Sequence, residues 1–274
     1  MHTRAARHGS RESNRRLVDV LRFVVCALTF TALVWYMASG SNNSGGGSSH
    51  PGESTVAFAI GIDVGGTKCA LAVYSASARR AVPRSGDSDD ARMYESLVEL
   101  QVPTGPSFTG NDLDAAVQQL VDAARTADLG TDGAFELRRA SCGVSVPGLV
   151  DRERLAMVLA PDLPKLQGWS ARNNANLQQC RAVAVANDIE CAAAHARRVL
   201  SPTAAADMSV LVVGTGIGAQ YFANGAMVGG VSGYAGEFGL APVPLLPPAD
   251  GDDGQATVRF STWDNMLSGR AILR

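Results

Sequence analysis

The sequence predicts a mixed α/β fold assembled as two related lobes, and three observations carry that expectation. The first is "FAIGIDVGGTKCALAVY", residues 58 to 74, where two apolar, β-rich runs flank a pair of glycines. The second is "MSVLVVGTGIGAQYFANGAMVGG", which repeats the strand, glycine turn and strand roughly 150 residues later. The third is "DLDAAVQQLVDAARTA" between them, where Leu113, Ala116, Val117, Leu120, Val121 and Ala124 recur at helical spacing behind Asp112 as the expected N-cap. With 274 residues, 46% hydrophobic and 18% charged, the chain has material for one large or two modest domains with an ample core.

The amino terminus has a different composition. Residues 1–38 carry six arginines against Glu12 and Asp19, a charge of about +4, which leaves about −6 on the remainder of a chain whose net charge is −2. An acidic folded part argues against a nucleic-acid surface. "FVVCALTFTALVWYMA", residues 23–38, is sixteen residues without a charge. A bilayer core asks for about 20, which the run approaches if it reaches back to Leu17 while Arg22 snorkels. Three readings stand side by side: a membrane anchor over residues 17–38, a cleaved signal peptide ending near "ASGS", or translation from Met37, which leaves the product cytoplasmic. The anchor leads, so the expected localisation is at a membrane. Residues 39–54 read as a Gly/Ser linker, 55–185 as an N-terminal α/β lobe and 186–274 as a C-terminal lobe.

In the folded region, the first apolar run delivers Asp63 to a turn at Gly65 and Gly66. Neither G-x-G-x-x-G nor G-x-x-x-x-G-K-[ST] can be written there, and the chain returns to a strand where those motifs would open a helix. Two such turns can grip one polyphosphate from opposite sides, because backbone N–H donors approach closely where no Cβ intervenes. "ASCGVSVPGLVD" reads as a strand closing on Pro147-Gly148, and "CRAVAVANDIECAAAHARRVL" as a strand ending at Asn187 and Asp188, then a helix. Ligands of open α/β sheets bind beyond the carboxyl ends of strands, which is where Asp188 falls. In the repeat, Ser209–Val213 reads as a buried strand, Gly218–Ala223 as its partner, and Asn224-Gly225 as a hairpin turn. Cys26, Cys69, Cys142, Cys180 and Cys191 lack C-x-x-C spacing and read as reduced core residues. Lys68 reads as a strand residue more than a phosphate ligand, His195 as a packing or surface residue, and Asp250, Asp252 and Asp253 as a solvated loop.

Five segments in order, "GIDVGGTK", "GVSVPGLVD", "VANDIECAAA", "VVGTGIGA" and "GGVSGYAGEFGLAPV", resemble the ROK (repressor, open reading frame, kinase) sugar kinases. That resemblance implies an actin-like, ribonuclease-H-like ATPase fold of two lobes, and ATP-dependent phosphorylation of a hexose or N-acetylhexosamine, as in glucokinases and N-acetylhexosamine kinases. By the same resemblance, Asp63 orients Mg²⁺ through its waters. Gly65, Gly66 and Thr67 meet the nucleotide from one lobe, and Thr215, Gly216 and Gly218 from the other. Asp188 accepts the proton of the attacking hydroxyl. Asn187, Glu237, Gly233, Pro147 and Gly148 contact the sugar. A small-molecule sugar and a nucleotide are then the partners, and a homodimer is an option the family offers.

Three departures qualify the resemblance. Where the family has E-x-G-H, this chain reads Glu237-Phe238-Gly239-Leu240. The cysteine-rich zinc loop is replaced by "PVPLLPPADGDDGQATVRFSTWD", so no zinc site is expected and Mg²⁺ is the one metal. The chain stops at "MLSGRAILR", so the second lobe is expected to be truncated before the part that supports the adenosine. The alternative to a kinase is therefore a catalytically weak or truncated sugar-binding relative. A transcription regulator is disfavoured, since an apolar segment and linker stand where a helix-turn-helix would be.

Overall fold

The computed structural model describes residues 58–75, 96–127, 134–200, 207–214, 216–245 and 259–272. The apolar segment 17–38, the linker 39–54, Thr215 and the loop of Asp250, Asp252 and Asp253 lie outside the described residues. Among the described residues, no helix is long and apolar enough to cross a membrane. The chain divides into two compact units, Met1–His195 and Ala196–Arg274, so Asn187 and Asp188 belong to the first.

The first unit is built on a five-stranded sheet of β1 (Phe58–Val64), β2 (Lys68–Ser75), β3 (Ser96–Pro103), β4 (Ala140–Val146) and β7 (Ala182–Asn187), in the order β3-β2-β1-β4-β7. β5 (Leu149–Asp151) and β6 (Ala156–Leu159) form a separate hairpin. β1, β2 and β3 are antiparallel neighbours, whereas β1, β4 and β7 run parallel. Side chains alternate between the two faces of a strand. Phe58, Ile60, Ile62 and Val64 of β1 therefore share one face with Cys142, Val144 and Val146 of β4, in the main core. The helix α1 (Gly110–Thr126) contributes Leu113, Val117 and Leu120 to that core. The other face is made of small residues: Gly61 pairs with Gly143, and Gly143 with Ala184. On that side α2 (Asp188–Leu200) packs Cys191 against Ala184 and Ala186.

The apolar positions of α1 are buried as their spacing predicts, but its N-cap is Thr109 rather than Asp112. The Thr109 hydroxyl accepts the Asp112 N–H at 3.3 Å, while the Asp112 carboxylate accepts the Thr109 N–H at 2.8 Å. Asp112 stands three residues inside, where a carboxylate reaches back to close a capping box. These hydrogen bonds, led by that from the Thr109 side chain, hold its carboxyl below the usual aspartate range. The irregular segment after β6 is fastened to α1 by side chains: Trp169 Nε1 and Asn174 Nδ2 both donate to Asp114 Oδ1, at 2.9 and 2.7 Å.

The second unit holds the antiparallel sheet of β8 (Met208–Val213), β9 (Ile217–Ala223) and β10 (Ala226–Met227). Asn224 and Gly225 both have positive φ, 50° and 77°, which is the backbone an Asn-Gly hairpin turn requires. β8 corrects the expectation of a buried strand, since Leu211 and Val213 are 58% and 59% exposed. It is an edge strand, and no described element covers its Ser209, Leu211 and Val213 face; only the alternate residues are partly covered. β11 (Pro242–Leu245) pairs with β12 (Arg259–Thr262), which leads into α3 (Trp263–Leu267) and α4 (Gly269–Ile272).

Candidate active site

Asp63 is the penultimate residue of β1, half-buried, in register between Ala70 of β2 and Ser145 of β4. Beyond it the chain turns at once, the Gly65 N–H donating to the Lys68 carbonyl at 2.9 Å. Thr104, just past β3, binds this turn from one side: its hydroxyl donates to the Gly65 carbonyl at 2.6 Å and its N–H to the Thr67 carbonyl at 3.1 Å. In a trans peptide the carbonyl and the next N–H point in opposite directions. Holding those two carbonyls therefore turns the Gly66 and Lys68 amides away from Thr104. Gly66 and Thr67 are exposed. A Cβ on Gly66 would stand 3.6 Å from that of Asp162, which brings a second acid beside the turn. Sequence reasoning missed Thr104 and Asp162, because neither belongs to a glycine motif and each reaches the turn through tertiary folding.

At the end of β7, Asn187 caps α2. Its Oδ1 accepts the Ile189 N–H at 2.8 Å and the Glu190 N–H at 3.4 Å, and the Glu190 carboxylate accepts the Asn187 N–H at 3.2 Å. "NDIE" is thus a reciprocal cap, a signal legible in the sequence and passed over. Asn187 Nδ2 donates to the Gly148 carbonyl at 3.0 Å, so this side chain ties the Pro147-Gly148 loop to the strand end. Gly148 has φ +102°, and a Cβ there would lie 2.1 Å from the Leu159 carbonyl oxygen, so no other residue fits. Asp188 opens α2, half-buried, with one carboxylate oxygen accepting the Ile189 N–H at 2.9 Å.

The two acids lie at the same end of the sheet, the carboxyl ends of its parallel strands. Asp63 is in register with Ser145, and Val146 with Asn187, so the ends of three adjacent parallel strands are level. Neighbouring strands lie about 4.8 Å apart, which sets the ends of β1 and β7 about 10 Å apart. Cys191, one turn into α2, reports both carboxylates. Burial pushes its thiol up strongly, the charge of Asp63 adds to that, a hydrogen bond with Ser145 opposes it, and Asp188 and Glu190 push the same way as Asp63. Cys69 is likewise raised, first by burial and then by Asp63.

The second unit carries Gly216, Gly218, Gly233 and Glu237. Its glycine turn is held by the Gly214 N–H donating to the Gly216 carbonyl and the Gly269 N–H to the Gly214 carbonyl, both at 2.8 Å. The Asp264 carboxylate accepts the Ile217 N–H. Gly239 lies against both groups: a Cβ there would be 2.2 Å from the Ile217 carbonyl and 2.6 Å from Asp264 Oδ1. Glu237 is exposed, yet partial desolvation and then the charge of Asp264 raise its carboxyl above the usual range. Gly233 is exposed with φ +77°, and Leu240, at the family's histidine position, is 59% exposed. Among the described residues, no group of three or more His, Cys, Asp or Glu is arranged to hold a metal ion, and residues 246–258, within the segment that replaces the zinc loop, lie outside them.

The sequence pattern of the ROK family matches residues 59–274. The chain is 29% identical over 229 residues to an N-acetyl-D-glucosamine kinase of Pectobacterium atrosepticum, covering 77% of this chain and 63% of that one. It is 28% identical over 185 residues to an N-acetyl-D-glucosamine kinase of Escherichia coli O127:H6, covering 68% of this chain and 52% of that one. It thus spans between half and two thirds of the curated relatives it matches. Among solved structures, it is similar to a ROK family glucokinase from Streptomyces griseus in complex with glucose and AMPPNP, at 25% identity and a TM-score of 0.51, over 79% of this chain and 59% of that one.

Proposed function

Because this chain belongs to the ROK family, we propose that it transfers the terminal phosphoryl group of ATP to a hydroxyl of a hexose or N-acetylhexosamine. The observation that carries the reading is the placement of Asp63 and Asp188 at the level ends of β1 and β7, the two parallel strands that flank β4, with an exposed glycine turn directly after β1. Asp188 accepts the proton of the attacking hydroxyl as the new O–P bond forms and the bond to ADP breaks. A carboxylate is a weak base, but phosphoryl transfer has a loose transition state, so holding the acceptor in line matters more than basicity. In the first unit the Gly66 amide, turned outward by Thr104, is a donor for phosphate oxygens, and in the second the Gly216 and Gly218 amides are such donors. In the first unit the Pro147-Gly148 loop, fixed by Asn187, offers contacts to the sugar, and in the second Glu237 offers it a carboxylate.

Mg²⁺ prefers oxygen ligands and is commonly held by one or two carboxylates plus substrate phosphates. Asp63, half-buried at the end of β1 directly before the phosphate turn, provides such a carboxylate, so the donor set fits. When bound, Mg²⁺ neutralises phosphate charge; the protein's part is to hold Asp63 at the strand end.

Sugar-dependent ADP release from ATP and Mg²⁺ tests the proposal, with glucose, mannose, fructose and the N-acetylated hexosamines offered to the full chain. Release that is equal in the wild type and Asp188→Asn would remove it. A second reading, sugar binding with weak catalysis, is favoured by one residue: Leu240 replaces an imidazole that would hydrogen-bond the sugar. Sugar binding by calorimetry without sugar-dependent ADP release selects it.

A further inference from the structure

We propose that Asp264 is a positioning residue for the second glycine turn, its carboxylate holding the Ile217 amide so that Gly216 and Gly218 present their N–H groups to a nucleotide phosphate. The inference rests on the kinase reading above and assigns a residue that reading does not use. Asp264 lies 47 positions after the amide it binds, on α3, a helix of five residues capped by the Thr262 hydroxyl. The segment from Thr262 to Gly269 grips the turn at both ends: Asp264 takes the Ile217 N–H on one side, and the Gly269 N–H takes the Gly214 carbonyl on the other. The ring of Trp263 stacks on Phe238 with centroids 5.6 Å apart, which fixes α3 against the Glu237-Phe238-Gly239 element.

Space is kept for the carboxylate. A Cβ on Gly239 would come within 2.6 Å of Asp264 Oδ1, and one on Gly216 within 3.4 Å of both its oxygens. A carboxylate facing a triphosphate would repel it. Bonded to a backbone amide, Asp264 instead spends its acceptor on the turn itself, and it adds a charge-assisted hydrogen bond where a loop of glycines has little else to define it. The charge of the same side chain also bears on Glu237, the proposed sugar carboxylate.

The test compares Asp264→Ala, Asp264→Asn and Gly239→Ala in the full chain, each checked for folding by circular dichroism. Asp264→Ala should raise the KM for ATP by about tenfold or more, with a smaller change in kcat, because a lost hydrogen bond to a charged group loosens the turn before chemistry. Asp264→Asn keeps an oxygen acceptor and should restore most of the lost affinity. Gly239→Ala places its Cβ against the Ile217 carbonyl as well as against Asp264 Oδ1, so it should disturb the turn at least as much as Asp264→Ala. Hydrogen exchange at the Ile217 amide gives a readout independent of activity: protection should fall in Asp264→Ala and largely return in Asp264→Asn. Unchanged ATP KM and unchanged Ile217 protection in Asp264→Ala overturn the proposal, as does equal loss in the Asn and Ala variants. A wild type that releases no ADP with any sugar overturns the kinase reading, and Ile217 exchange then still decides whether Asp264 holds the turn.

Discussion

Gly148 shows how a single missing side chain can carry a site. With φ at +102° and the Leu159 carbonyl 2.1 Å from where a Cβ would stand, Gly148→Ala must move backbone. The expected loss is about 2 kcal/mol or more in urea unfolding, with a raised sugar KM because the loop leaves Asn187. Asp188→Asn should behave differently, lowering kcat by about 10²-fold to 10⁴-fold with little change in either KM or in urea midpoint. Glu237 is expected to titrate above an ordinary glutamate, since desolvation and the Asp264 charge both favour its protonated form. Its contribution to folding is therefore present at low pH and lost as pH rises through the raised value. Sugar affinity that needs the carboxylate follows the reverse course, and its acidic limb should move to lower pH in Asp264→Asn, which removes the neighbouring negative charge. The strand-end positions of Asp63 and Asp188 were legible in the sequence because each follows a buried run and adjoins a glycine or helix signal. Thr104 and Asp264 were not: each acts by binding the backbone of a remote turn, and nothing in its own neighbourhood announces that partner.

Elements were legible where local chemistry decides them. The period of α1 named all six of its buried residues, and the strands around both glycine turns follow their apolar runs. Its start was misjudged by three residues, because an acid inside the first turn and a threonine before it are both acceptable caps until their mutual hydrogen bonds are seen. Thr109→Ala should cost about 1 kcal/mol in urea unfolding by removing that cap. The burial of β8 was misjudged for another reason: apolar residues on both faces of a strand state what could be covered, not what is. Asn187 taught the opposite lesson, since its reading as a sugar contact overlooked a cap written locally in "NDIE".

Across the molecule, of the five cysteines read from the sequence as core residues, Cys26 lies outside the described residues; the other four are free, with Cys69, Cys142 and Cys191 buried and Cys180 half-buried. Burial raises all four thiols, Cys180 to about 12. In a Cys26→Ser chain, Cys69, Cys142 and Cys191 should react slowly with a thiol reagent at pH 8 and promptly in denaturant, so the labelling rate reports opening of the first unit. Fast native labelling of all three would contradict the packing described above. The two-lobe α/β class was readable because the strand–turn–strand device occurs twice. The composition of the rear face of the sheet has a larger consequence. Gly61, Gly143 and Ala184 form a row with almost no side-chain bulk, and α2 rests on that face. The depth to which α2 settles fixes how far its first residue, Asp188, projects above the strand ends. Thickness, in effect, aims the reactive oxygen, so Gly143→Val should lift α2 and slow phosphoryl transfer without touching any group that meets the reactants.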